Sequence, residues 1–251
     1  MKEIAFTLLA ITFLSVGYMH PVFAQTTYTD TPDHYTFDLP ARWEEIPRSV
    51  IDQYIDALVQ QTQGQRVEYS SGFQLSEKEY FQYPYVLVQE HRLNTPSYSE
   101  VENIFGSDFQ DFAEENLSEY SELISNASID KPFLDRQRNI LFMNIEANVT
   151  NVGQIKGLSA IFLGKESMTQ LNFYSLLGEY SQWLPVFNTM ISSFKYESAY
   201  VYDPAEAVKN DSPSIFEGAL EKGLAGAIMG GLIGLVFFLF RRKKKNEEPK
   251  P

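Results

Sequence analysis

The sequence predicts a mixed α/β domain built on an antiparallel sheet and tethered by one C-terminal membrane helix. Three features carry that expectation. Between residues 128 and 176, four alternating apolar–polar segments follow one another with only short turns between them, as half-buried strands joined by hairpins do. Two other stretches, residues 46–59 and 180–194, space their apolar side chains along one face of a helix. Near the end lies Gly223–Phe240, an uncharged run closed by five consecutive cations, Arg241–Lys245. At 1.5 Å per residue, a helix of about 18 residues just crosses a hydrocarbon core of about 30 Å.

Taken in order, residues 1–24 have the features of a secretory signal. Lys2 supplies a charge, Ile4–Val16 an apolar core, and Val22-Phe23-Ala24 a cleavage point before Gln25. The rival is an uncleaved anchor, which would leave both termini in the cytoplasm. Gln25–Pro32 is a polar, Thr-rich lead, and His34–Leu39 alternates as a strand stopped by Pro40, with Trp43 in the following turn. Ile46, Val50, Ile51, Tyr54, Ile55, Leu58 and Val59 share one helical face, Pro47 suits a first helical position, and Gly64 is the expected stop. Strands are expected over Arg66–Leu75 and Tyr83–His91, the second buried on both faces at Val86-Leu87-Val88. A long helical stretch runs from Ser97 to Ile124. It is interrupted at Gly106-Ser107, where Ser107 and Gln110 would form a capping box.

The four alternating segments are Ser128–Arg136, Arg138–Thr150, Gln154–Gly164 and Ser167–Leu176, with hairpin turns at Asn151–Gly153 and Gly164–Glu166. A last amphipathic helix covers Glu179–Phe194, with Pro185 near its first turn, and Ser198–Ser214 has the composition of a stalk. The expected division is residues 1–24 signal, 25–197 extracytoplasmic domain, 198–217 linker, 218–240 transmembrane helix and 241–251 basic cytoplasmic tail.

Composition narrows the function. With 44% hydrophobic residues, 19 Phe and 15 Tyr, the chain can bury a real core, and with no cysteine it has neither disulfides nor thiol chemistry. Gln25–Glu217 carries 12 Lys/Arg against 29 Asp/Glu, a net of −17, whereas Arg241 onward carries six cations and two anions, a net of +4. So acidic a domain is a poor ligand for nucleic acid or anionic lipid. The basic tail would be held in the cytoplasm by the positive-inside tendency.

No catalytic motif appears. His34 and His91 stand alone in expected strands and suit structural or surface roles. Glu44-Glu45 and Glu114-Glu115 are adjacent residues that point apart. Asp108, Asp111, Glu114, Glu115, Glu119 and Glu122 line the polar face of a helix without the glycine-containing loop of a calcium site, which marks a solvated face. No metal or cofactor is expected. Tyr80, Phe81, Tyr83 and Tyr85, placed near Trp43, would line a ligand groove or partner surface, or else fill the core.

The sharpest pattern is in the anchor. Gly226, Gly230 and Gly234 stand four apart, and Gly223, Ala227 and Gly231 form a parallel row. Such rows let helices approach closely within a bilayer, so these six residues are the expected contact surface for a partner helix or a second copy. Apart from the bilayer itself, a protein partner or homo-oligomer is the expected company.

The order strand, helix, strands, long helix, antiparallel meander and closing helix resembles the Mog1/PsbP-like fold, an α/β/α sandwich. Tyr35-Thr36-Phe37-Asp38-Leu39-Pro40-Ala41-Arg42-Trp43 is similar to that family's opening strand, Pro and Trp. Phe187-Asn188-Thr189-Met190-Ile191-Ser192-Ser193-Phe194 is similar to its closing helix. The resemblance implies a binding or assembly module, in the manner of photosystem subunits, a Ran-binding factor and secretion accessories. It supplies no partner-binding residues for this chain.

Overall fold

The computed structural model describes residues 26–62, 65–93, 97–104, 109–118, 120–207 and 213–247. The expected signal segment and the Gly106-Ser107 interruption lie outside the described residues. The architecture follows from strands that are buried on both sides. In β5 (Tyr85–Arg92) and β10 (Ser167–Leu176), side chains of both parities are buried, so layers must cover the sheet above and below. They stand in the middle of an antiparallel eight-stranded sheet. Its path runs β3 (Trp43–Glu45), β4 (Ser71–Leu75), β5, β10, β9 (Gly153–Leu163), β8 (Ile140–Val149) and β6 (Ile124–Ile129), with β7 (Phe133–Asp135) also pairing with β8. The expected meander is thus present. Asn151 and Gly153 take positive φ values of 63° and 107° at the β8–β9 turn, as a tight hairpin requires.

One face of the sheet is covered by α4 (Tyr180–Ser193) and a small sheet of β1 (Thr26–Asp30), β2 (Tyr35–Leu39) and β11 (Lys195–Tyr196). Phe187, Met190 and Ile191 of α4 pack there with Phe37, Phe73, Val86, Leu171 and Phe173. On the other face lie α1 (Arg48–Thr62), α3 (Phe109–Ser118) and α5 (Pro213–Glu247). Ile51, Ile55 and Leu58, at helical spacing, are the buried stripe of α1. Gly72 of β4 lets that helix approach, since a Cβ there would stand 2.9 Å from Leu87 Cδ2 and 3.2 Å from Ile51 Cδ1. The result is a sandwich of helices, antiparallel sheet, and a helix with a small second sheet.

Several sequence expectations change. The Thr-rich lead is partly a strand: β1 is an exposed edge, built by pairing with β2 and not by burial, so it shows no apolar alternation. His34 leaves the expected strand for the turn before it, at φ 59°. Trp43 opens β3 instead of a turn, and of the expected strand Arg66–Leu75 only Ser71–Leu75 is regular.

The helical stretch expected to reach Ile124 consists of α2 (Tyr98–Ile104) and α3, which stops at Ser118. Ile124 already pairs with Val149 in β6. A register shift between Ser125 and Ser128 spaces Ile124 and Ile129 five apart, which hides the strand's period. The carboxylate half of a capping box, missed in the sequence, starts α2: the Ser97 amide and hydroxyl donate to Glu100 Oε2 at 2.8 and 2.6 Å. Part of the expected stalk packs on the domain, where Tyr202 is buried and Gly164 bridges to Val201.

Candidate functional site

α5 contains the apolar window Gly218–Val236, which is long and apolar enough to cross a membrane, yet 83% of it is buried inside the fold. The sheet face beneath explains how a helix with so few side chains is held. Alternation along β5, β9 and β10 points Tyr85, Leu87, Gln89, Ile155, Ser159, Gln170, Asn172 and Tyr174 to this side. Tyr69 and Tyr83, from the segments preceding β4 and β5, join them.

These side chains contact the backbone of α5. Tyr69 donates to the carbonyl of Gly226 at 2.6 Å, Tyr83 to Gly231 at 2.6 Å, Tyr85 to Gly230 at 2.7 Å and Tyr174 to Ala227 at 2.9 Å. Gln170 Nε2 donates to the Gly223 carbonyl at 3.1 Å. Tyr85 Oη also accepts from the Gly234 amide at 3.3 Å. Burial pushes all four phenols above their usual pKa, so they are neutral donors at any physiological pH. A helix carbonyl already accepts one intrahelical bond, and its second lone pair is reachable only where no side chain shields it. The glycines provide that access.

The fit is steric as well. A Cβ at Gly226 would overlap the Gln89 amide, and one at Gly230 the Tyr174 hydroxyl. At Gly234 it would lie 2.5 Å from Tyr83 Cε2, and at Gly231 3.0 Å from Ile155 Cδ1. A cavity of about 10 Å³ among Ile145, Ile155, Tyr174, Ala227 and Gly231 is the size of a single water. The amides of the sheet also bond to one another. Ser159 Oγ and Gln170 Nε2 donate to Asn172 Oδ1 at 2.5 and 2.7 Å, and Asn172 Nδ2 donates to Gln89 Oε1 at 3.1 Å. Two buried atoms near Gly223 have no hydrogen-bond partner, Gln170 Oε1 and His91 Nε2. His91 also lines a cavity of about 650 Å³ at the N-terminal end of the window, with Gln89, Lys222 and Arg66 among its other lining residues.

The six small residues singled out in the sequence, Gly223, Gly226, Ala227, Gly230, Gly231 and Gly234, therefore lie together on one contact surface, which here meets the sheet of their own chain. Of the aromatic segment, Phe81, Tyr83 and Tyr85 are buried on this side, Tyr80 is partly exposed, and Trp43 belongs to the opposite face. Phe81, Tyr83 and Tyr85 thus fill the core, the second of the two roles expected of them, and Trp43 of β3 belongs to the cluster on the α4 side. Tyr69, Tyr174, Gln89 and Gln170 were missed. The signal for Tyr174, Gln89 and Gln170 was polar residues in strands otherwise apolar on both sides. Of the acidic row, Asp111, Glu114, Glu115 and Glu122 are exposed; Asp108 and Glu119 lie outside the described residues. His34 stacks on Tyr200 with ring centroids 3.8 Å apart and meets Glu197 at 3.1 Å, both at the surface.

Three solved structures match this chain at low identity. Cyanobacterial PsbP from Synechocystis matches with a TM-score of 0.43 at 12% identity, over 72% of this chain and 99% of that one. The likeness is to the Mog1/PsbP-like fold. The Ran-binding protein Mog1p of Saccharomyces cerevisiae matches at 0.37 and 9% identity, over 69% of this chain and 96% of its own. LpqN of Mycobacterium tuberculosis, described as involved in cell envelope biogenesis, matches at 0.36 and 11% identity, over 68% and 90%. These likenesses concern fold. No family model matches the sequence, and no curated protein matches it.

Proposed function

We propose that the chain is a single-pass membrane protein whose acidic domain lies outside the cytoplasm and works as a binding and assembly module, not as a catalyst. The observation that carries the binding role is the set of five side-chain donors reaching backbone carbonyls of α5. A surface that grips a helix by its backbone is built for holding. The anchoring role rests on the apolar window and the five cations that follow it. A helix lying in the sheet's face and a helix crossing a bilayer are alternative states of the same residues, so the anchored form is the one in which the face is free to bind.

The test uses the full chain in sealed vesicles. It should resist alkaline extraction, its domain should be cut by external protease, and a cysteine replacing Lys245 should be labelled only after permeabilisation. Extraction by alkali, or labelling of that cysteine from outside, would contradict the anchored reading. A second reading, an envelope enzyme, draws on the cavity of about 650 Å³, whose lining includes Glu90 and His91. These neighbours on one strand point apart, however. Glu90 accepts from Thr169 Oγ1 at 2.9 Å on the α4 side, and His91 faces α5. A turnover screen of the full chain with ester, glycoside and phosphoester substrates separates the two readings, and only sustained hydrolysis favours the enzyme.

A further inference from the structure

We propose that a cavity of about 450 Å³, enclosed by the end of α4, β11 and the adjoining ends of β8 and β9, binds a small apolar carboxylate with its head at Lys195. Among the described residues none of α5 lines this cavity. The site therefore goes beyond the reading above and does not depend on where α5 lies.

Its walls are fixed to the rest of the fold. The Tyr196 hydroxyl is 3.1 Å from the Phe162 carbonyl oxygen and 2.9 Å from Thr169 Oγ1, within hydrogen-bond distance of both. Gly164 leaves room for that ring, since a Cβ there would stand 2.8 Å from Tyr196 Cζ. On the opposite side the segment after β11 folds back onto the domain. The Lys165 amide donates to the Tyr200 carbonyl at 2.9 Å, and Gly164 bridges to Val201. The cavity is thus preformed, and its volume falls within the range of about 300–1,000 Å³ usual for small-molecule sites.

The lining defines the ligand. Ile140, Phe162, Leu163 and Ile191 are buried side chains that supply an apolar floor, and Val201, 49% exposed, carries it to the surface. Such a floor favours an apolar body. The polar part runs against the composition of the domain, where acids outnumber bases by 29 to 12. Among the described residues this lining holds two cations, Arg138 and Lys195, and no carboxylate. Arg138 is engaged, its Nε donating to Asp135 Oδ2 at 2.7 Å. Lys195 is exposed and makes no ion pair with any described residue. Glu197, two residues on, meets His34 instead. One unpaired cation at the rim of an apolar cavity matches one negative charge at the end of an apolar body. Over the rest of this acidic surface the same anion is repelled.

The test titrates the isotopically labelled full-length chain, in detergent-free buffer, with sodium octanoate below its micellar concentration and separately with octanol. Octanoate should give saturable amide shifts centred on Ile140, Phe162, Lys195 and Val201, and octanol should bind more weakly. Lys195→Gln should weaken octanoate about fivefold and leave octanol unchanged. Val201→Glu sets a carboxylate in the exposed part of the lining and should weaken octanoate at least about tenfold. Spectra of the unliganded variants check the fold, and should Val201→Glu disturb it, Lys195→Gln at its exposed position decides alone. Absence of saturable shifts, shifts centred elsewhere, octanol binding as well as octanoate, or octanoate binding unchanged in Lys195→Gln would each overturn the site.

Discussion

The two faces of the main sheet solve the same covering problem with different chemistry. Toward α4, Phe73, Phe173, Leu171 and Val86 meet Phe187, Met190 and Ile191, and the Phe173 and Phe187 rings lie 4.9 Å apart. Toward α5, the sheet presents phenols and amides, and the helix presents backbone. Apolar interdigitation resists any change of volume and makes a permanent core. Hydrogen bonding to a glycine surface adds a second kind of contact, set within an apolar cluster that also buries Leu224, Ile228, Leu232 and Ile233 of α5. One face is a core and the other is a seat.

The largest effect should come from the core. Phe173→Ala, at a fully buried position, is expected to cost about 3–5 kcal/mol and to lower denaturant resistance of the whole domain. A loss under about 1 kcal/mol would erase the distinction between the faces.

The pH dependence sharpens it, because two neighbours on β5 titrate into opposite faces. Burial raises Glu90, on the core side, from 4.5 to about 8. Its contribution is fully present below pH 4.5 and is lost as the pH rises toward 8, by up to about 1.4 kcal/mol per unit. Burial, with Lys222 adding to it, lowers His91, on the seat side, from 6.5 to about 4. Its contribution is present above pH 6.5 and is lost as the pH falls toward 4. Thermal melts across this range should show Glu90→Gln flattening the alkaline decline and His91→Asn the acid one. An unchanged alkaline slope in Glu90→Gln would contradict the assignment.

Gly230→Leu comes next. The new side chain would displace the Tyr174 hydroxyl at a cost of about 1–3 kcal/mol. Hydrogen exchange should quicken in α5 while the amides of α4 keep their protection; equal loss in both would show a single indivisible core. The smallest effect is Tyr85→Phe, which removes the bond to Gly230 for about 1 kcal/mol, measurable as a shift in denaturant midpoint.

What the sequence revealed follows the same division. The core face and its meander were legible, since Phe, Val and Leu at period two announce a buried strand. The closing helix was legible from Phe187, Met190 and Ile191. The ends of elements were not: Ile124 kept helical spacing with α3 by coincidence, and the exposed edge β1 is defined by pairing, which no local pattern records. At the seat, the glycine rows marked the contact surface on α5 but not what it contacts. A Gly row suits a bilayer partner and a tyrosine-lined sheet equally well, because both require the absence of side chains. Tyr174 and Gln170 are 53 residues or so distant in sequence from the carbonyls they bind, and no local pattern joins them.

α5 is held by its backbone on the tyrosine and amide face. A single cysteine pair tests it most directly in a chain with no other cysteine. The full-length Gln89→Cys/Gly226→Cys variant, oxidised in detergent-free buffer before any contact with lipid, should form an intrachain disulfide nearly quantitatively. The Val88→Cys/Gly226→Cys control, whose first residue faces α4, should not. Failure of the first pair to close, or equal closure of both, would contradict the seat.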